Sequence, residues 1–223
     1  MILEICAFNI QSCFIAERAG ASRIELCADA LHGGTTRSIG LIKYALKHLN
    51  IPVFPMIRPR GGNFVYDVDE FAIMEQDVIA CRKLGSPGIA TGILLPDGRI
   101  DVERMKSIVE LAGPMQVTCH KAFDATPDAQ QALEDIITAG CARVLTSGLE
   151  KTALEGADLL AALVKQAMGR IIIMPGGSVR SSNLSQLRER TGAVEFHSSG
   201  LLSKGEGFIA DEDEVGKMVG CLR

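Results

Sequence analysis

The sequence predicts one α/β domain folded as a TIM-type (β/α)8 barrel. Three observations carry the prediction. Eight short apolar runs with strand character recur from end to end, helical patterns alternate with them, and no Gly/Ser/Pro-rich linker or composition shift divides the 223 residues. Strict alternation implies a parallel sheet, and eight units in one chain imply a closed barrel more than an open sheet.

Strand 1 is ILEICAF, followed by a helical pattern over 9–19, and strand 2 is SRIELCA, followed by a helix over 39–49. Each run is too short for a helix and too apolar for a surface loop. Strand 3, PVFPMIR, leads to DVDEFAIMEQDVIACRKLG, where Phe71, Met74, Val78, Cys81 and Leu84 keep one apolar face up to a glycine stop. Strands 4 to 7 are GIATGIL, MQVTCHKAF, ARVLTSG and RIIIMPGG, with helices over 102–111, 127–139, 152–167 and 182–189. Strand 8 is AVEFHSSG, and DEDEVGKMVGCLR closes the chain as a last helix.

Nearly half the residues are apolar (47%), but no apolar run approaches the length needed to span a bilayer. Glu4 interrupts the first apolar residues and no basic segment precedes them, so the chain reads as a soluble cytoplasmic protein without a secretory signal. A net charge of −4 with no Lys/Arg block lacks the electrostatic footprint of a nucleic-acid binder. The seven cysteines are scattered, odd in number and free of C-x-x-C pairs. That argues for reduced thiols over a disulfide framework or a structural zinc site.

Residues two apart on a strand share a face. With Leu3, Ile5, Ile24 and Leu26 facing the helices, Glu4 and Cys6 of strand 1 and Glu25 and Cys27 of strand 2 point into the barrel. The same parity turns Met56 and Arg58, Thr118 and His120, and Glu195 and His197 inward. In a closed barrel strands 8, 1 and 2 are neighbours, so Glu-x-His, Glu-x-Cys and Glu-x-Cys stand side by side. Three buried carboxylates need cations or shared protons, and Arg58 is the expected cation.

Each cysteine alone is at home as a small buried hydrophobe. On adjacent strands, however, Cys6 and Cys27 meet the geometry for a two-thiolate ion site or a disulfide, and soft thiolates select Cu(I) over harder ions. Glu25, Arg58, His120, Asp124 and His197 are candidate catalytic residues, against a purely structural Glu–Arg network. Arg60 beside Arg58, and the Gly176, Gly177 and Ser178 turn of MPGGSV, make a candidate anion site in the loops that follow strands 3 and 7. Lys121 falls on the outward parity and is set aside as a Schiff-base candidate, while Asp124 is expected at the barrel mouth. His32 is read as a loop contact and His48 as surface.

The segments EICAF, ASRIELCADALHGGTTRS, MIRPRGGNF, GPMQVTCHKAFD, RVLTSG, IMPGGSV and EFHSSG stand in the order and spacing of the CutC copper homeostasis proteins. Over about residues 2–200 the chain resembles that family. The resemblance implies a TIM-type barrel, a cytoplasmic protein and copper handling, with copper bound at the two strand cysteines, here Cys6 and Cys27. It places family motif residues on His120, His197, Arg58 and Arg60. Lys121 and Ser178 stand where the family has Arg and Gly, His32 replaces an acidic residue, and the stretch after strand 8 is shorter than usual. The expected partners are a copper ion or a small-molecule ligand, with homo-oligomerisation left open. Two readings therefore stand: a Cu(I)-binding protein, or a barrel enzyme acting on a small anionic or carbonyl metabolite.

Overall fold

The computed structural model describes residues 1–201 and 208–223. Among them strands and helices alternate as β1 (Ile2–Ala7), α1 (Ile10–Arg18), β2 (Arg23–Leu26), α2 (Ile39–His48), β3 (Val53–Pro55), α3 (Val68–Lys83), β4 (Gly88–Thr91) and α4 (Val102–Ala112). The second half continues with β5 (Gln116–Cys119), α5 (Ala129–Ala139), β6 (Arg143–Thr146), α6 (Ala157–Ala167), β7 (Ile172–Pro175), α7 (Leu184–Thr191), β8 (Glu195–Ser198) and α8 (Glu212–Cys221). Short 3-10 turns occupy Ala30–His32 and Lys121–Ala125. The shortened stretch after strand 8 falls partly on residues 202–207, outside the described residues.

Side chains set the helix starts. Asn9 accepts from the Ser12 N–H, Asp101 from that of Arg104, and Asp128 from those of Gln130 and Gln131. Asp67 and Glu70 close a reciprocal capping box on α3. Three helices start two or more residues later than the pattern predicts, at Ala129, Ala157 and Leu184 instead of 127, 152 and 182. For the last two the reason lies in the loops before them. Gly156 packs onto the Ser147 carbonyl so closely that no Cβ fits. Arg180 and Asn183 close a turn of their own, with the Arg180 N–H on Asn183 Oδ1 at 2.9 Å and the Asn183 N–H on the Arg180 carbonyl at 3.1 Å.

The strands pair in parallel as two four-stranded halves, β3-β2-β1-β8 and β4-β5-β6-β7. Single parallel bridges, Met56 to Ala90 and Gly176 to His197, join the halves and close the barrel. Leu3, Ile5, Ile24, Leu26, Ile89, Val117, Val144, Ile173 and Phe196 belong to one apolar core shared with the helices. Inside, Phe54 lies against Gly88, where a Cβ would strike the ring.

Arg23, Gln116, Arg143 and Glu195 are each the first residue of a strand, so they meet at the N-terminal end of the barrel. Arg23 donates to Glu4 Oε2 at 2.5 Å and to Glu195 Oε2 at 2.6 Å, and Arg143 donates to Glu195 Oε2 at 3.1 Å. Both guanidiniums lie over the Phe54 ring, 5.0 and 5.3 Å from its centre. The cation expected for the buried carboxylates was Arg58, and the structure corrects this. Arg58 lies past the end of β3, at the opposite end of the barrel, whereas Arg23 and Arg143 open their strands beside Glu195. No helix among the described residues is long and apolar enough to cross a membrane.

Candidate functional site

At the C-terminal ends of the strands a cavity of about 310 Å³ opens, lined among others by Cys6, Glu25, Arg58, His120, Lys121 and His197. This is the face on which barrels of this type carry their sites.

On one side stand the cysteines. Register places Cys6 of β1 opposite Glu25 of β2, and Cys27 follows β2 by one residue. The two sulfurs are 3.7 Å apart, and Cys27 Sγ lies 3.4 Å from Glu25 Oε2. All three residues are buried, Cys6 at the cavity surface and Cys27 behind it. The hydrogen bond with Cys27 draws the Cys6 thiol down to about 6 against its burial, with help from His197. Cys27 is pushed well up by its bond to Cys6 and by burial, and Glu25 is pushed well up by burial and by the charge of Cys6.

His197 closes this side. Its Nδ1 is 2.7 Å from Glu4 Oε1 and its Nε2 is 3.8 Å from Glu25 Oε2. Burial alone would lower its pKa, yet Glu25, Cys6 and Glu4 together hold it well above the usual imidazole range. Glu4 is held at about 2, because the hydrogen bond from His197 and the charge of Arg23 outweigh burial.

His120, one residue past β5, behaves in the opposite way. Burial and the nearby Arg58 charge push its pKa down to about 3. Its Nδ1 accepts from the Ala122 N–H at 3.2 Å, so the neutral ring carries its proton on Nε2. The ring fits only because residue 92 is glycine, where a Cβ would come within 2.6 Å of Nδ1.

Arg58 donates to the carbonyls of His32, Gly34 and Gly62, each at 2.8 Å, and sits 4.7 Å from the Phe64 ring centre. It fastens the loops that carry Gly33–Gly34 and Gly61–Gly62 to the cavity wall. Of the four buried side-chain polar atoms without a partner among the described residues, three belong to residues lining this cavity: Glu25 Oε1, Arg58 Nε and His120 Nε2.

Other candidates land elsewhere. Asp124 is not free at the mouth, because its carboxylate is taken by Thr146 Oγ1, the Ser147 N–H and Oγ, and the Leu149 N–H. Arg60 turns away from the cavity to pair with Glu70 at 2.5 Å and to cover the Tyr66 ring. Gly176 spends its N–H on the Thr146 carbonyl at 2.9 Å, whereas Gly177 and Ser178 line the cavity. His32 pairs with Asp29 at 2.8 Å, and His48 is exposed on α2. Lys121, set aside by parity, does line the cavity, because the strand ends at Cys119 and a 3-10 turn begins. Arg180 was not singled out from the sequence; it lines the cavity from the loop after MPGGSV, where alternation gives no orientation.

The CutC family profile matches residues 1–202. The family protein CutC of Chromobacterium violaceum is 50% identical over 198 residues, covering 89% of this chain and 80% of its own. A mouse copper homeostasis protein cutC homolog is 45% identical over 207 residues, covering 93% and 76%. A crystal structure of a candidate copper homeostasis protein CutC from Streptococcus agalactiae superposes with a TM-score of 0.85 at 35% identity, covering 89% of this chain and 98% of that one.

Proposed function

The chain belongs to the CutC family, and from that premise we propose that it handles copper by binding Cu(I) between the thiolates of Cys6 and Cys27 in the cytoplasm. The observation that carries the reading is the 3.7 Å sulfur separation between Cys6 at the cavity surface and Cys27 behind it. Two thiolates on one metal at about 2.3 Å, with a near-tetrahedral angle, stand about 3.8 Å apart. Two sulfurs are also the donor set a soft monovalent ion prefers. Glu25, within reach of both sulfurs, supplies a third donor. Binding displaces thiol protons, and Cys6 gives up the first at little cost.

The test is a competition titration with a Cu(I) chelator under anaerobic, reducing conditions, on wild type and on the Cys6→Ser/Cys27→Ser variant. We expect one ion per chain and an affinity at least about a hundredfold lower in the variant. Equal affinity in the two proteins would remove copper from this pair.

A second reading has its own support. Three buried polar atoms without partners among the described residues belong to residues lining one cavity, and buried polar groups are normally satisfied. That pattern suits a small-molecule site, and an enzyme on such a molecule would use His120, Glu25 and His197 as its titrating groups.

A further inference from the structure

The chemistry of the cavity wall narrows that second reading. The chain carries a net charge of −4, yet Arg58, His120, Lys121 and Arg180 all line this one cavity. The side chains of Arg58, Lys121 and Arg180 offer donors only, while Glu25 and Cys6 line the same cavity. His120 carries its ring proton on Nε2, since Nδ1 already accepts from Ala122, and that Nε2 is buried without a partner among the described residues. The Arg58 Nε–H is in the same condition.

Lys121 lies over the Gly177–Ser178 turn, with its Nζ 3.6 Å from where a Cβ on Gly177 would stand. Its carboxylate neighbour, Asp124 at 3.5 Å, already takes hydrogen bonds from Thr146, Ser147 and Leu149. Arg180 places one nitrogen, Nη1, on the Val179 carbonyl at 2.7 Å and on Ser198 Oγ at 3.2 Å. Its Nε and Nη2 make no hydrogen bond among the described residues, and the Glu214 charge acts on the guanidinium. Ser178 holds a left-handed backbone, φ 55°, next to Gly177 at φ 115°. A volume of about 310 Å³ lies at the lower end of the range of small-molecule sites.

We propose that this cavity binds a small organic anion, a phosphate monoester or carboxylate that carries a further acceptor oxygen. Its anionic group lies between Lys121, Arg180 and the Gly177–Ser178 turn, and its acceptor oxygen takes the His120 Nε2–H. The proposal rests on the small-molecule reading of the cavity. It draws on none of the residues assigned to copper.

Calorimetric titration with two pairs of probes tests it: inorganic phosphate with dihydroxyacetone phosphate, and acetate with pyruvate. Within each pair the first member offers only the anionic group and the second adds a carbonyl oxygen. One pair binds one-to-one, which identifies the anion. Lys121→Met, at a half-exposed position that leaves folding intact, weakens both members of that pair by at least about tenfold. His120→Gln weakens only the carbonyl-bearing member. No saturable binding in either pair, or affinities indifferent to Lys121→Met, would overturn the proposal.

A thermal-shift panel of uncharged polyols, amides and nucleosides separates the two levels of the claim. An uncharged compound that stabilises wild type but not His120→Gln keeps the small-molecule reading and defeats the anion. No stabilisation by any charged or uncharged probe defeats both.

Discussion

His120 accepts one hydrogen bond from Ala122, keeps its Nε2 proton, and is buried beside the Arg58 charge. These facts fix a pH signature. The folded protein holds the imidazole pKa at about 3, whereas the unfolded chain protonates it near about 6.5. A depressed pKa contributes stability that is present above the unfolded value and is lost as pH falls toward the folded one. Between pH 7 and 5 the unfolded state therefore takes up a proton that native His120 refuses, and stability drops by up to about 2 kcal/mol. Urea unfolding at both pH values, on wild type and His120→Gln, isolates this term from the carboxylates. We expect wild type to lose about 2 kcal/mol more than the variant; equal losses would mean that the ring is hydrated and titrates freely. His197 is held protonated by carboxylates, so two histidines on the same inward parity carry opposite charge behaviour. Alternation assigns a side chain to a face, but the partners that set its protonation come from other strands.

The turn Lys121–Ala125 between β5 and α5 has a comparable effect on its surroundings. Through Asp124 it accepts hydrogen bonds from Thr146, Ser147 and Leu149, and so ties the end of β5 to the loop after β6. Asp124→Ala strands the Ser147 and Leu149 N–H groups, and we expect a loss of about 1–3 kcal/mol. Hydrogen exchange should rise at those two amides and little in β1 or β2. Unchanged protection there would show that the loop holds its shape without the carboxylate. The eight strands were legible because buried parallel strands are short apolar runs, and helices separate them with a different period. Cys6, Glu25 and His197 were legible because they lie within strands, and Cys27 because it follows one directly. Lys121, Arg180, Arg60 and Asp124 lie beyond strand ends, where the two-residue alternation stops. Their orientations follow from turns whose closing contacts are distant in sequence, such as Asp124 to Leu149.

At the scale of the whole molecule, the barrel consists of two four-stranded halves joined by one bridge on each side. Few backbone hydrogen bonds cross those seams. Glu195 of β8 crosses them with its side chain, bonding Arg23 of β2 in one half and Arg143 of β6 in the other. Arg143 in turn reaches Thr118 and Gln116 of β5, at 3.3 and 2.8 Å. Arg23 shares the parity of Glu25, so the sequence contained this layer; which acid it meets depends on strand stagger, which a sequence does not display. Burial and the neighbouring Arg23 push the Arg143 guanidinium below its ordinary value, while Glu4 and Glu195 hold Arg23 above its own against burial. Glu195→Gln keeps the shape and removes the negative charge between two buried cations. Breaking a buried ion pair in this way costs about 3–5 kcal/mol. We expect the urea midpoint to fall accordingly, with amide protection lost at the β3–β4 and β7–β8 seams before the middle of either half. A change below about 1 kcal/mol, the range of a surface pair, would show instead that the helices alone hold the halves together and that the ionic layer merely fills the barrel.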